Sequence, residues 1–171
     1  DEKLPLLRDP DSSYYLRQEK DGLLLGPYEK NCRAHWIDNS DPMPEDFSFQ
    51  LYNDDLERLE WYIEDACARV PLLGTGGITR VVNGPIPYTP DGLPLIGQMP
   101  GVPNAFEACV FTFGIVQAGG AGKLLSEIIV EGEAETDSWA VDPRRFTDHV
   151  DQAYTTAKAI ETYSHEYAMH F

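Results

Sequence analysis

The chain has 171 residues and a formal net charge of −16, from 29 acidic and 13 basic residues. This length is enough for one domain with a substantial core. The excess of acid argues against nucleic acid and anionic membrane surfaces as partners, because both require clustered lysine and arginine. No apolar run reaches the length that spans a bilayer, so no membrane segment is predicted.

Three widely spaced cysteines, Cys32, Cys67 and Cys109, form no Cys-x-x-Cys motif. This pattern predicts reduced thiols in an intracellular protein, and neither a disulfide framework nor a zinc site. His165 and His170 are five residues apart, a spacing that does not place both on the helix face that zinc requires. We therefore expect no metal site.

Two β-prone runs near the start of the chain flank Lys20-Asp21-Gly22, and the Asp-Gly pair predicts a hairpin. Because strand side chains alternate, Tyr15 and Arg17 share one face, whereas Tyr14 and Leu16 share the other. One tyrosine is thus expected to face a core or cavity and its neighbour to face away. Packing on a sheet is the commoner role for such aromatic residues.

Residues 54–70 predict an amphipathic helix with acidic residues in its first turn, capped by Asn53 or Asp54. Its apolar stripe comprises Leu56, Leu59, Ile63, Ala66, Cys67 and Val70. Arg58 and Arg69 lie off this stripe and are expected to be solvated. We interpret the helix as scaffold.

Loops and strands are predicted around this helix. Residues 31–46, with two prolines, predict a surface connection in which His35 is incidental. Residues 77–84 predict a strand. The proline-rich segment 85–97 excludes a helix and a central strand and contains a Pro-Asp-Gly turn. Residues 105–110 predict a buried strand, and residues 155–163 predict a helix.

Four glycines lie between residues 114 and 122. Apolar residues follow at 124, 125, 128 and 129, the spacing of a buried helix face, and Gly132 is the predicted end of that helix. The four glycines predict a tight turn feeding a helix N-terminus, which favours an anion or an electron-rich cofactor edge. Close packing of the helix on a strand is the open alternative. Gln117 and Leu124 break the P-loop spacing, and no G-x-G-x-x-G occurs, so a pyrophosphate site is excluded.

Three segments carry a family resemblance: Val82 to Pro85, Thr89 to Gly97 and Phe113 to Lys123. In them the chain resembles the flavoprotein amine oxidoreductases of the D-amino-acid-oxidase type, and within these the dimethylglycine and sarcosine dehydrogenase branch. Residues 14–29, 142–146 and 158–163 match that branch too, so the resemblance covers nearly the whole chain.

The resemblance implies an α+β fold, with an antiparallel sheet and flanking helices from a substrate domain plus the returning strand and helix of an FAD-binding domain. It places the later part of the substrate domain at residues 1–90 and the returning segment at 91–140. Residues 141–171 would begin a connection toward a folate-binding module. The nucleotide-binding half and the folate module are expected outside this chain, and the chain alone is expected to be inactive.

The implied chemistry is oxidation of an N-methyl amine such as dimethylglycine or sarcosine. Hydride passes to FAD, and the resulting iminium is hydrolysed or captured by tetrahydrofolate. The resemblance leaves the electron acceptor open. It implies the bacterial cytoplasm or the mitochondrial matrix as the location.

The resemblance also implies roles for particular residues. Those implied to line the flavin ring are Phe111, Thr112, Phe113, Gly114, Ile115 and Val116. A helix from about Gly119 would stabilise the reduced flavin. Tyr15, in preference to Tyr14, is expected to face the substrate, and Arg17 either meets the substrate carboxylate or makes a surface ion pair. Val110 stands where relatives often have glycine.

A different class of function is implied by a non-catalytic relative of the same architecture, the regulatory subunit of pyruvate dehydrogenase phosphatase. A chain of that kind acts through protein interaction. A dinucleotide fingerprint and bound flavin in the whole protein would favour the enzyme.

Overall fold

The computed structural model describes residues 3–166. Residues 86–159 form one compact unit, and the described residues on either side of that segment form another. Antiparallel strands and helices both occur, which confirms the predicted α+β class. Across the described part of the chain, every helix is too short or too polar to cross a membrane.

The flanking unit contains a three-stranded antiparallel sheet of β1 (Leu7–Asp9), β2 (Tyr14–Glu19) and β3 (Gly22–Pro27), with β2 in the middle. Glu19 pairs with Gly22, so the predicted hairpin is confirmed. Lys20 adopts the left-handed conformation in the turn, with φ 53°.

The core of this unit lies between the sheet and helix α1 (Glu60–Arg69). Tyr14 of β2 is 1% exposed and packs with Tyr62 and Ala66 of α1. Leucines from the sheet and from both ends of the helix surround this cluster: Leu7, Leu25, Leu59 and Leu73. Tyr62, absent from the predicted apolar stripe, thus belongs to the buried face.

Helix α1 begins later than predicted, at Glu60, after a 3-10 turn at Glu57–Leu59. Neither Asn53 nor Asp54 caps it. Tyr52 N–H donates to the carbonyl of Asn83 over 2.7 Å, and the Asn83 amide donates to the carbonyl of Asn53 over 2.7 Å. These bonds hold residues 52 and 53 away from the helix start.

The two arginines predicted to be solvated both make ion pairs. Arg69 Nε lies 2.7 Å from Oδ2 of Asp9, a side chain only 2% exposed. Arg58 bridges Asp55 at 2.7 Å and Glu29 at 3.2 Å. Both arginines are exposed as predicted, with 53% of the Arg69 side chain and 36% of the Arg58 side chain accessible. The pairs with Asp9 and Glu29 could not be recognised from helical periodicity, because these partners are distant in sequence.

Residues 77–84 form no strand, contrary to the prediction. The bonds between Asn83 and residues 52–53 fix one point of the segment, but no ladder extends along it in the described structure.

The connection between β3 and α1 holds an aromatic cluster of His35, Trp36, Phe47 and Tyr52, with ring centroids 4.7–6.2 Å apart. His35 thus has a packing role.

The unit of residues 86–159 is built on an antiparallel pair, β4 (Leu95–Gln98) and β5 (Phe106–Cys109). The predicted strand at 105–110 is confirmed, although it is half-buried. β4 begins directly after the last proline of the proline-rich segment. Helix α2 (Gly114–Glu131) contacts both strands.

Helix α3 (Gln152–Ser164) confirms the predicted helix at 155–163. Its residues up to 159 belong to the unit of residues 86–159, and the rest belong to the flanking unit. Within the flanking unit, the Tyr163 hydroxyl donates to Glu29 Oε2 over 2.5 Å. Burial, followed by this bond to Glu29, raises the pKa of Tyr163 well above its ordinary value.

Candidate functional site

The segment that leads from β5 into α2 makes an abrupt change of direction. Val110 has φ 57°, the left-handed region, which is rare for a β-branched residue. Phe113 precedes the helix with φ −112° and ψ 48°, and its carbonyl accepts the first helical bond, from Gln117 N–H at 3.1 Å. The N–H groups of residues 114–116 therefore have no acceptor within the helix, and the positive end of its dipole lies there.

Apolar side chains surround this helix start and face solvent within their unit. Ile115 is 96% exposed and Val116 is 82% exposed. Phe113 is 36% exposed, whereas Phe111 and Thr112 are half-buried. An exposed apolar surface at a helix N-terminus suits a flat ligand that is apolar in its body and electron-rich at its edge.

The glycines that were expected to form a turn lie inside the helix. Only Gly114 stands at the helix start, and α2 continues without interruption through Gly119, Gly120 and Gly122 to Glu131. The predicted helix start near Gly119 was therefore five residues too late. The predicted end is confirmed, since Gly132 is left-handed with φ 85° and its N–H bonds the carbonyl of Ile128.

The three interior glycines are uncovered on two sides of the helix: Gly119 and Gly122 share one face, and Gly120 lies about 100° around the helix from Gly119. A methyl group added at Gly119, Gly120 or Gly122 would meet no described atom within 4 Å. Each glycine costs a helix up to about 1 kcal/mol relative to alanine, and packing among the described residues does not account for that cost. The close-packing alternative on β4 and β5 therefore does not explain these three positions.

A buried arginine joins two of the segments that carried the family resemblance. Arg145, whose side chain is 7% exposed, contacts Asp91 through Nε at 2.7 Å and Nη2 at 3.0 Å. It also donates to the carbonyls of Leu93 at 2.8 Å and Asp142 at 3.1 Å. Arg145 thereby ties the Thr89–Leu93 turn to the 142–146 segment.

The charge of Asp91 is stabilised by this arrangement. Burial alone would raise the pKa of Asp91, but hydrogen bonds from Arg145, from Leu93 N–H and from the Thr89 hydroxyl leave it below its ordinary value. Gly97 of β4 allows the 142–146 segment to pack closely on the strand. A Cβ added at Gly97 would lie 3.2 Å from Pro143, and the φ of 149° is one that favours glycine. Sequence reasoning identified both segments but not their contact, which only the fold creates.

The tyrosine pair occupies opposite surroundings in the other unit. Tyr14 belongs to the core, where burial and then Asp9 raise its pKa to about 12. Tyr15 is half-buried on the opposite face of β2 and lies across Gly26 of β3. The alternation predicted for these two residues is confirmed, while their part in catalysis stays a prediction.

Arg17 shares the face of Tyr15 and pairs with Glu19 at 2.5 Å, with 44% of its side chain exposed. The structure therefore shows the surface ion pair, and the exposed part of the Arg17 guanidinium is still accessible to a further partner. Arg17 and the tyrosines lie in one unit and residues 111–116 in the other. Among residues 3–166, no three His, Cys, Asp or Glu side chains are grouped to hold a metal, and His170 lies outside the described residues.

Comparison with known proteins gives two family matches. Residues 1–128 match the FAD dependent oxidoreductase family, and residues 131–171 match the FAD dependent oxidoreductase central domain. The chain therefore belongs to the FAD dependent oxidoreductases.

Individual relatives agree with this assignment. The mitochondrial dimethylglycine dehydrogenase of Mus musculus is 44% identical over 94% of this chain and 19% of its own length. The mitochondrial sarcosine dehydrogenase of the same species is 37% identical over 99% of this chain and 18% of its own length. Its mitochondrial pyruvate dehydrogenase phosphatase regulatory subunit is 31% identical over 83% of this chain and 16% of its own length. The chain spans about a fifth of the length of the dehydrogenases it matches.

The residues around the start of α2 fit the cofactor of this family. Free helical N–H groups and the dipole suit the electron-rich edge of an isoalloxazine ring, and the exposed apolar side chains suit its faces. The buried Gln117 Oε1 accepts no hydrogen bond from the described residues, so a donor from a bound group would satisfy it. The uncovered Gly119 and Gly122, which share one face of the helix, allow a close approach there.

Proposed function

We propose that the protein containing this chain is an FAD-dependent dehydrogenase of N-methylated amino acids of the dimethylglycine and sarcosine type. The observation that carries the proposal is the start of α2, where free N–H groups coincide with exposed Ile115 and Val116, and uncovered glycines follow from Gly119 onward. Membership of the FAD dependent oxidoreductases supports it, as does the 44% identity to dimethylglycine dehydrogenase.

FAD, when bound, accepts the hydride that the N-methyl carbon loses. The residues proposed to contact the ring are Phe111, Thr112, Phe113, Gly114, Ile115 and Val116. Their backbone would orient the ring, and the positive end of the helix would favour negative charge on it. Loss of hydride leaves an iminium whose hydrolysis releases formaldehyde; capture by tetrahydrofolate is the proposed alternative fate.

On the other unit, Tyr15 is proposed to contact the substrate near the reacting nitrogen. Its hydroxyl can exchange hydrogen bonds with an amine, and its ring offers a face to a methylated cation. Arg17 is proposed to bind the substrate carboxylate, a pairing for which the guanidinium fork is suited. We place this chemistry in the bacterial cytoplasm or the mitochondrial matrix.

The test is flavin reduction in the full-length protein without oxygen. Dimethylglycine and sarcosine should bleach the visible flavin absorption, because the nitrogen lone pair assists hydride loss. Glycine betaine has no lone pair and should leave the absorption unchanged, which makes it the matched control. No bleaching by any N-methylated amine would contradict the proposal.

The second candidate is a regulatory role through protein interaction, favoured by the 31% identity to the pyruvate dehydrogenase phosphatase regulatory subunit. The two candidates differ in cofactor chemistry. A full-length preparation that is colourless and releases no flavin on denaturation would favour the regulatory role over the enzyme.

A further inference from the structure

The ring of Tyr15 lies where a side chain on the neighbouring strand would otherwise stand. Tyr15 of β2 and Gly26 of β3 are directly paired across the sheet. A Cβ added at Gly26 would overlap the ring at Cζ and Cε1 and lie 2.5 Å from the hydroxyl oxygen. Real carbon atoms do not approach so closely, so the ring occupies this place only because residue 26 has no side chain.

The backbone gives no other reason for glycine at this position. Gly26 is absent from the glycines with positive φ in the described chain, so its conformation is one that any residue adopts. Within a strand, glycine without such a requirement marks the close approach of another group. Here that group is the hydroxyl end of Tyr15.

The remainder of the strand is fixed from the opposite face. Tyr14 is anchored in the core at 1% exposure, and Leu16 is 5% exposed. These contacts hold the backbone of β2 on both sides of Tyr15, and from this fixed backbone the ring extends into the space over Gly26. A larger residue at position 26 would force the ring into a different rotamer.

We propose that Gly26 is a positioning residue that holds the Tyr15 hydroxyl at the substrate. This inference rests on the proposed function. It adds a residue with no polar side chain of its own, whose effect passes entirely through Tyr15.

The experiment compares Gly26→Ala with Gly22→Ala in the full-length protein. Gly22 begins the same strand, and a Cβ there would meet only the Glu19 carbonyl at 3.8 Å, an ordinary contact. The rate constant of flavin reduction by dimethylglycine should fall at least about tenfold in Gly26→Ala, because small misplacements of a reacting group are costly. Gly22→Ala should stay within about twofold of the wild type.

A structural effect on the sheet is separated from positioning by a Tyr15→Phe background. Without the hydroxyl, Gly26→Ala should change the reduction rate by less than about twofold. Binding of isovalerate, the carbon isostere of dimethylglycine that has no nitrogen to meet the hydroxyl, is followed by calorimetry and should stay within about twofold of the wild type in both alanine variants, whereas KM for dimethylglycine should rise in Gly26→Ala alone. An equal loss of rate in both backgrounds would overturn the proposal, as would identical reduction kinetics of the two alanine variants.

Two further outcomes are decisive. If Gly26→Ala does not fold, Tyr15→Ala/Gly26→Ala, which removes the overlapping ring, should fold, and its failure to do so would refute the role of the ring. If the wild type is not reduced by any N-methylated amine, the proposed function fails and this inference falls with it. Normal reduction of the wild type with an unaffected Gly26→Ala variant refutes the positioning role alone.

Discussion

Two adjacent tyrosines on β2 differ in almost every physical respect. Tyr14 is closed into the core beside Asp9, whereas Tyr15 lies half-buried across a glycine. Strand alternation predicted that their environments would differ, but it did not indicate which tyrosine would be buried. That depends on the position of α1, whose Tyr62 and Ala66 cover only one face of the sheet.

The raised pKa of Tyr14 predicts a loss of stability at high pH. Its pKa is about 12 in the fold against 10.0 ordinarily, so the unfolded chain releases this proton first. The contribution is complete below pH 10 and is lost as pH rises toward 12. Relative to Tyr14→Phe, the wild type should therefore lose about 1 kcal/mol of unfolding free energy near pH 11. Urea unfolding at about pH 8 and about pH 11 measures this; an unchanged difference would contradict it.

Arg17 distinguishes substrate binding from a surface ion pair. If its guanidinium binds the substrate carboxylate, Arg17→Gln should raise KM for dimethylglycine about 10- to 100-fold and affect kcat less, as expected for a charged hydrogen bond. Glu19→Gln is the control, because it removes the ion pair and leaves the guanidinium. Steady-state kinetics in which both variants behave like the wild type would leave Arg17 with only its surface pair.

At the level of elements, the most informative feature is the glycine content of α2. The apolar stripe and Gly132 predicted this helix and its end, but the glycines suggested a turn because glycine is a poor helix former. The structure extends the helix back to Gly114. Nothing in the described structure covers the interior glycines of this uninterrupted helix, which leaves room for a group to approach it.

Gly120→Ala should reveal what approaches the uncovered face of α2 on which Gly120 lies. Helix propensity alone predicts a gain of up to about 1 kcal/mol, since the added methyl group meets nothing described within 4 Å. If FAD approaches this face, the FAD dissociation constant should rise at least about tenfold. Ser126→Ala, farther along the same helix, serves as control in fluorescence titrations. Unchanged FAD affinity with a higher melting temperature would exclude the cofactor from this face.

The turn at Thr89–Leu93 depends on Arg145. Arg145→Lys keeps the charge but loses the bidentate contact with Asp91, so we expect unfolding free energy to fall by about 2–3 kcal/mol. The adjacent Arg144, with 66% of its side chain exposed, provides the matched control. Arg144→Lys should cost less than about 1 kcal/mol. Equal losses in chemical unfolding would show that Asp91 does not anchor the turn.

At the scale of the whole molecule, sequence patterns within one segment predicted its secondary structure, whereas contacts between distant segments could not be predicted. The hairpin, β5, α2 and α3 were identifiable because turn residues and periodicity lie within each segment. The strand at 77–84 was wrong, since a β-prone run needs a partner that the sequence cannot specify. The Asp9–Arg69 and Asp91–Arg145 pairs were missed for the same reason, being 60 and 54 residues apart.

The candidate site could be predicted only in its two parts. Residues 111–116 and the tyrosine pair were identifiable by resemblance, and each part has a definite local geometry in its own unit. The dependence of Tyr15 on Gly26 could not be foreseen, because it requires the register of β2 against β3. The full-length protein is therefore the material in which the site has to be tested.

The central claim, oxidation at an N-methyl carbon by bound FAD, is tested most directly by stopped-flow flavin reduction with selectively deuterated dimethylglycine. Because the bond proposed to break during flavin reduction is a methyl C–H bond, deuteration of the methyl groups should slow bleaching of the flavin, and deuteration of the methylene group should not. Slowing by methylene deuteration alone, or the absence of any bleaching, would contradict the account.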